Sequence, residues 1–200
     1  MTSPSRRKRM PRAERERQMI QIAGEVFAER GYAAASMDDI AERVGVSKPM
    51  LYEYFRSKEG LLIACIEKAR TELREATEQA VAGAPSAEEA LRRGLREFFA
   101  FVRERRRAWS LLRHEVSLAG TSAWDEIEAT RRQQTGLIAK LLADFLLDRS
   151  PTRVEADAEF IVGACERLAI WCEQHEEVTP ERATAAAMDL LWNGLSGRAQ

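Results

Sequence analysis

Apolar residues recur at three- and four-residue spacing through this chain of 200 residues, as in Met19, Ile22, Ala23, Val26 and Phe27, and no stretch reads as a strand. That spacing follows the turn of a helix and not the alternation of a sheet, so the chain is predicted to be all-α. Punctuation is explicit. Gly31 is placed to end the first helix, and Gly45, Gly83 and Gly120 mark later turns. Ser36 with Asp39, Ser86 with Glu89, Ser122 with Asp125 and Thr152 with Glu155 each set a hydroxyl three residues before a carboxylate, as a capping box does. Thr179-Pro180 adds a start with proline at the first helical position. The result is about nine helices, near Arg12 to Arg30, Met37 to Val44, Lys48 to Phe55, Lys58 to Val81, Ala87 to Arg107, Ala108 to Ser117, Ala123 to Leu147, Arg153 to His175 and Pro180 to Gly197.

The early helices are short and the later ones long, which predicts a head over residues 1–56 and a larger helical body over residues 57–200. In the head, residues 36–58 read SMDDIAERVGVSKPMLYEYFRSK, two short helices over residues 37–55 joined at Gly45. Ala41 is small where the two must approach, Gly45 can take the left-handed conformation that reverses the chain, and Ile40, Val44, Val46, Leu51 and Tyr54 supply a shared core. Ser47 is expected to cap the second helix, and Pro49 falls in its first turn, where a missing N–H is harmless.

A helix-turn-helix of this kind lays its second helix in the major groove of duplex DNA, which makes an operator the expected macromolecular partner. Ser36, Ser47, Lys48, Tyr52 and Lys58 are then placed to hold phosphates, while Pro49, Met50 and Tyr54 face base edges, the first two with apolar contact alone. Charge supports this assignment. Residues 1–60 carry 12 Lys and Arg against 9 Asp and Glu, the remainder 19 against 23, and Arg6, Arg7, Lys8, Arg9 and Arg12 precede any acid. Such an arm suits a polyanion.

The head also resembles a known family. Ala41, Gly45-Val46-Ser47-Lys48, Leu51-Tyr52, Tyr54-Phe55, Ser57-Lys58-Glu59 and Leu61, preceded by Phe27, Gly31 and Tyr32, are similar to the pattern of the TetR family of transcriptional repressors over about Met19 to Leu62. The resemblance implies an all-helical homodimer on a palindromic operator, released by a small molecule, with phosphate contacts at Ser36, Ser47, Lys48, Tyr52, Tyr54 and Lys58. Pro49 and Met50 depart from the family's usual residues, so no base preference carries over.

Beyond Leu62 the resemblance fades and single residues must be weighed. Phe98, Phe101, Trp109, Leu112, Arg113, His114, Trp124, Cys165 and Trp171 are candidates to line an apolar effector pocket with one or two polar handles; for each Trp or Phe taken alone, ordinary core packing is the better reading. Ala183, Ala187, Met188, Leu191, Trp192 and Leu195 are the expected dimer face, with packing inside their own subunit as the alternative. Cys172 and His175 share a helix face with Cys165 below them, a thin soft-metal set that leaves a metal- or thiol-responsive sensor as a second reading; no cofactor is expected.

The chain lacks a Gly-rich phosphate loop, a His-Glu zinc motif and a nucleophile elbow, which argues against a helical enzyme. Its longest wholly apolar run, Leu61 to Ile66, is far too short to span a bilayer, and three scattered cysteines argue against a disulfide framework. A cytoplasmic regulator, repressor or activator, is the expectation.

Overall fold

The computed structural model describes residues 10–112, 122–144 and 149–196, with the side chains of 130 and 193–196 excepted. Among the described residues there are nine helices and no strand: α1 (Arg12–Ala34), α2 (Met37–Val44), α3 (Lys48–Phe55), α4 (Lys58–Val81), α5 (Ala87–Glu104), α6 (Arg106–Leu112), α7 (Ser122–Ala143), α8 (Pro151–Cys172) and α9 (Pro180–Ser196). No helix among them is long and apolar enough to cross a membrane.

Helix ends follow local chemistry. The Asp39 N–H donates to Ser36 Oγ at 3.1 Å and the Glu89 N–H to Ser86 Oγ at 3.2 Å, so both hydroxyls satisfy amides that have no intrahelical partner. Gly45 closes α2 in the left-handed conformation (φ 79°, ψ 36°), and Gly31 breaks α1 with φ 74° before a last turn that ends at Ala34. One expected start and one expected end move. α8 begins at Pro151, because Ser150 Oγ accepts from the Arg153 N–H at 3.3 Å and leaves Thr152 inside the helix. α5 stops at Glu104, short of the expected Arg107, because Arg105 leaves the helical region (φ −117°, ψ 45°) and lets α6 start at Arg106. Gly120 and the expected ends at Ser117, Leu147 and Gly197 lie outside the described residues.

α4 is the central strut and packs against α1, α3, α5, α6 and α7; α8 lies on α7, and α9 lies on α5. The buried core is continuous from Met19, Phe27, Ile40 and Leu51 in the head, through Leu61, Ile66 and Leu73 along α4, to Leu95, Trp109, Ile127 and Ile161 in the body. Close packing of this kind transmits displacement instead of absorbing it, so the head rides on whatever moves α4 and α6.

This packing covers much of the expected dimer face within the subunit. Ala183, Ala187, Met188 and Leu191 are all buried within the subunit, on the side of α9 that meets α5. Trp192 is half-buried, and the side chain of Leu195 lies outside the described ones. The apolar residues left exposed are instead Phe160 (70%) and Trp171 (41%) on α8 and Leu190 (80%) on α9.

Candidate nucleic-acid interface and effector cavity

The candidate recognition helix α3 has two buried side chains, Leu51 and Phe55, which seat it on α2 and α4. Its other faces are available. Pro49 and Tyr52 are exposed, Met50 is half-buried against the core, and Tyr54 is half-buried with the Arg12 guanidinium 4.9 Å from its ring centroid. Ser47 stands at the N-cap but its hydroxyl makes no capping bond, contrary to expectation. The second helical residue is Pro49, which has no N–H, and the Met50 N–H is bonded to the Ser47 carbonyl at 3.0 Å. An exposed hydroxyl at the positive end of a helix is thereby left for an anion such as phosphate.

Several cations of the head already have partners. Lys48 Nζ donates to Asp38 Oδ2 at 2.8 Å, and this bond holds its ammonium pKa above the usual range. Arg30 pairs with Asp39 at 2.7 Å, and Arg43 with Glu29 at 2.6 Å and Glu25 at 3.4 Å. Lys58 Nζ donates to the Ala35 carbonyl at 2.7 Å and lies 4.5 Å from the centroid of the Tyr32 ring, so it also ties α4 to the end of α1. Residues 10–60 hold 8 Lys and Arg against 9 acids, which leaves the positive excess of the N-terminal part to Arg6 through Arg9, outside the described residues.

A sharp consequence concerns Lys48. Asp38→Asn, by releasing Lys48, is expected to steepen the slope of log affinity against log salt by about one unit, and Lys48→Ala, because the lysine is already paired in the wild type, to flatten it by less than about one. Fluorescence anisotropy on duplex DNA across a salt series reads both. A slope for Asp38→Asn equal to the wild type would show that Asp38 does not restrain the lysine.

The body encloses a cavity of about 90 Å³. Leu73, Thr77 and Val81 of α4, Leu91, Gly94, Leu95 and Phe98 of α5, Trp109 and Leu112 of α6, Ile127 and Ile138 of α7, and Val162 and Cys165 of α8 form most of its wall. Polar groups are few. The Thr77 hydroxyl is spent on the carbonyls of Leu73 and Arg74, at 2.9 and 3.0 Å, and Arg131 pairs with Glu166 across α7 and α8 at 2.8 Å. Gly94 permits the close approach of α5 to α4, since a Cβ there would stand 3.3 Å from Val81 Cγ1.

Of the residues expected in a pocket, Phe98, Trp109, Leu112 and Cys165 lie together in this wall. Phe101 does not; it is buried elsewhere, with the Arg105 guanidinium 5.6 Å from its ring centroid. Trp171 is on the outer face of α8, stacked on His175 at 3.9 Å between ring centroids, and Trp124 is half-buried outside the wall. Arg113 and His114 lie outside the described residues. Sequence reading missed Arg131, Gln134 and Glu166, which look like surface residues until α7 and α8 are brought together. No group of three or more His, Cys, Asp and Glu is arranged to hold a metal among the described residues. Burial also pushes the Cys65 and Cys165 thiols up to about 12, where thiolate is scarce.

Known proteins share both halves of this arrangement. The family model described as "Bacterial regulatory proteins, tetR family" matches residues 20–65, and the one described as "Tetracyclin repressor-like, C-terminal domain" matches residues 87–194. The chain belongs to the tetR family. As a TetR-family protein it is a DNA-binding transcriptional regulator. It is similar to the HTH-type transcriptional activator FasR of Mycolicibacterium smegmatis, 28% identical over 94% of this chain and 86% of that protein. A TetR-like transcriptional regulator from Rhodococcus sp. RHA1 superposes with a TM-score of 0.79 at 34% identity, over 95% of this chain and all of that one. The regulator FadR of Bacillus subtilis, solved in complex with stearoyl-CoA, shares the fold at 20% identity and a TM-score of 0.76, over 88% of this chain and 96% of that one.

Proposed function

We propose that this TetR-family chain is a homodimeric repressor that holds a palindromic operator and releases it when an apolar small molecule enters the body cavity. The observation that carries the reading is the position of α6. One side of this short helix supplies Trp109 and Leu112 to the cavity wall. Its other side meets the head: Leu111 Cδ1 comes within 3.6 Å of the Cβ position at Gly24, and Arg107 pairs with Glu29 at 3.2 Å and Glu25 at 3.5 Å. Those same two glutamates hold Arg43 on α2.

At about 90 Å³ the cavity is smaller than the ~300–1,000 Å³ typical of small-molecule sites, so an effector must push its walls apart. Displacement of α6 or α4 then reaches the helix-turn-helix through packed side chains and the Arg107–Glu29–Arg43 relay. The effector acts by favouring a head spacing that fits the operator less well. For the dimer, the exposed apolar face of α8 and α9 is the self-complementary surface, and two-fold symmetry there sets two heads on two half-sites.

Fluorescence anisotropy of the purified protein on the duplex upstream of its own coding region, titrated with acyl-CoA thioesters and other apolar compounds, tests the reading. Release of DNA by a compound that binds the body is the expected result. A tight-binding compound that leaves operator affinity unchanged would refute the coupling. The similarity to FasR, an activator, favours a second reading in which the bound regulator recruits transcription; the direction of change in an in vitro transcription assay separates the two.

A further inference from the structure

Two buried nitrogen donors at the cavity have no protein partner: Trp109 Nε1 and Arg131 Nε. Trp109 is buried and fixed edge-on to Phe98, with ring centroids 5.5 Å apart and planes at 88°, so its indole cannot simply turn toward solvent. A buried donor without an acceptor is costly, and a phenylalanine ring would pack here without that cost. The charge of the wall is also defined. Arg131 and Glu166 are the only charged residues in the described lining, and the bond between them at 2.8 Å leaves no net charge. An entering carboxylate would find the cation already matched and a second carboxylate beside it.

We infer that the part of the effector seated in the cavity is uncharged, a hydrocarbon chain carrying a carbonyl-type acceptor such as an ester, thioester, amide or ketone. The acceptor takes the Trp109 N–H, and Glu166 excludes the corresponding carboxylic acid. The inference rests on the reading of this cavity as the effector site. It explains why an otherwise aliphatic wall keeps an indole N–H, and it makes Glu166 a specificity residue that needs no direct bond to the ligand.

The test is isothermal titration of the full-length protein with methyl octanoate, octanoate and butylbenzene at neutral pH, where octanoate is ionised. The wild type is expected to bind the ester at least ~10-fold more tightly than the acid; Trp109→Phe lowers ester affinity ~5- to 10-fold, the size of one neutral hydrogen bond at a buried site. Glu166→Gln, which frees the Arg131 charge, is expected to raise octanoate affinity at least ~10-fold. Thermal melting of both variants checks that they fold, and Glu166→Gln decides the matter if Trp109→Phe does not. Octanoate binding as well as the ester, or butylbenzene binding while the ester does not, overturns the inference and leaves the cavity reading intact. Failure of all three compounds to bind removes the cavity reading, and the inference with it.

Discussion

Leu51→Ala is expected to cost ~2–5 kcal/mol of stability and to abolish binding to every DNA duplex alike, because it deletes one of the two buried anchors of the candidate recognition helix. Leu51 is fully buried, and the other anchor, Phe55, sits one turn later on the same face. α3 has eight residues, too few to be helical by itself in water, so its form depends on the side chains that seat it on α2 and α4. The loss differs in kind from the loss at Lys48. Removing a proposed phosphate contact weakens binding most at low salt, whereas removing the anchor unfolds the reading surface. Chemical denaturation followed by circular dichroism, with anisotropy on operator and random duplexes, separates the two. Leu51→Met, which conserves volume, is expected to cost under ~1.5 kcal/mol. A Leu51→Ala protein that loses less than ~1 kcal/mol and still binds DNA would show that α3 is held by something other than this contact.

Why the head was legible and the body less so follows from the range of the interactions that define each. Gly45 and Ser36 act within three or four residues of themselves, so their roles can be read locally: a left-handed turn, a hydroxyl on an amide. Even there one interaction escaped, because the Ser47 hydroxyl makes no capping bond. Arg56, at φ 67°, reverses the chain between α3 and α4 with no glycine to announce it. The cavity depends on contacts across five helices. Arg131 and Glu166 are 35 residues apart and only their meeting makes them a matched pair in an apolar wall. Aromatic residues announce burial but not location, so Phe98 and Trp109 reach the cavity while Phe101 packs elsewhere. α9 is apolar on two sides, and sequence cannot decide which side meets its own subunit; positions 183, 187, 188 and 191 turn out to meet α5.

That last distinction carries the second large effect. Leu190→Asp is expected to convert the proposed dimer to a folded monomer, while Met188→Asp, two residues earlier, is expected to unfold the chain. Leu190 is 80% exposed in the single subunit, so a carboxylate there costs the isolated fold little. In a two-fold dimer through α8 and α9 the same residue is buried twice, once from each copy. Full burial of a leucine is worth ~1.5–3 kcal/mol, so the symmetric pair of substitutions removes ~3–6 kcal/mol from association before any cost of burying charge. Phe160→Asp on α8, from a residue 70% exposed, is expected to act the same way. Met188 is 3% exposed on the side of α9 that meets α5, where a carboxylate has no water to solvate it. Sedimentation velocity reads the oligomeric state and circular dichroism the fold. Because a palindromic operator engages both heads at once, the Leu190→Asp monomer should also lose most operator affinity while keeping its affinity for a single half-site. A folded monomer from Met188→Asp, with Leu190→Asp still dimeric, would return the interface to Ala183, Ala187, Met188 and Leu191 and require α9 to leave α5 when the dimer forms.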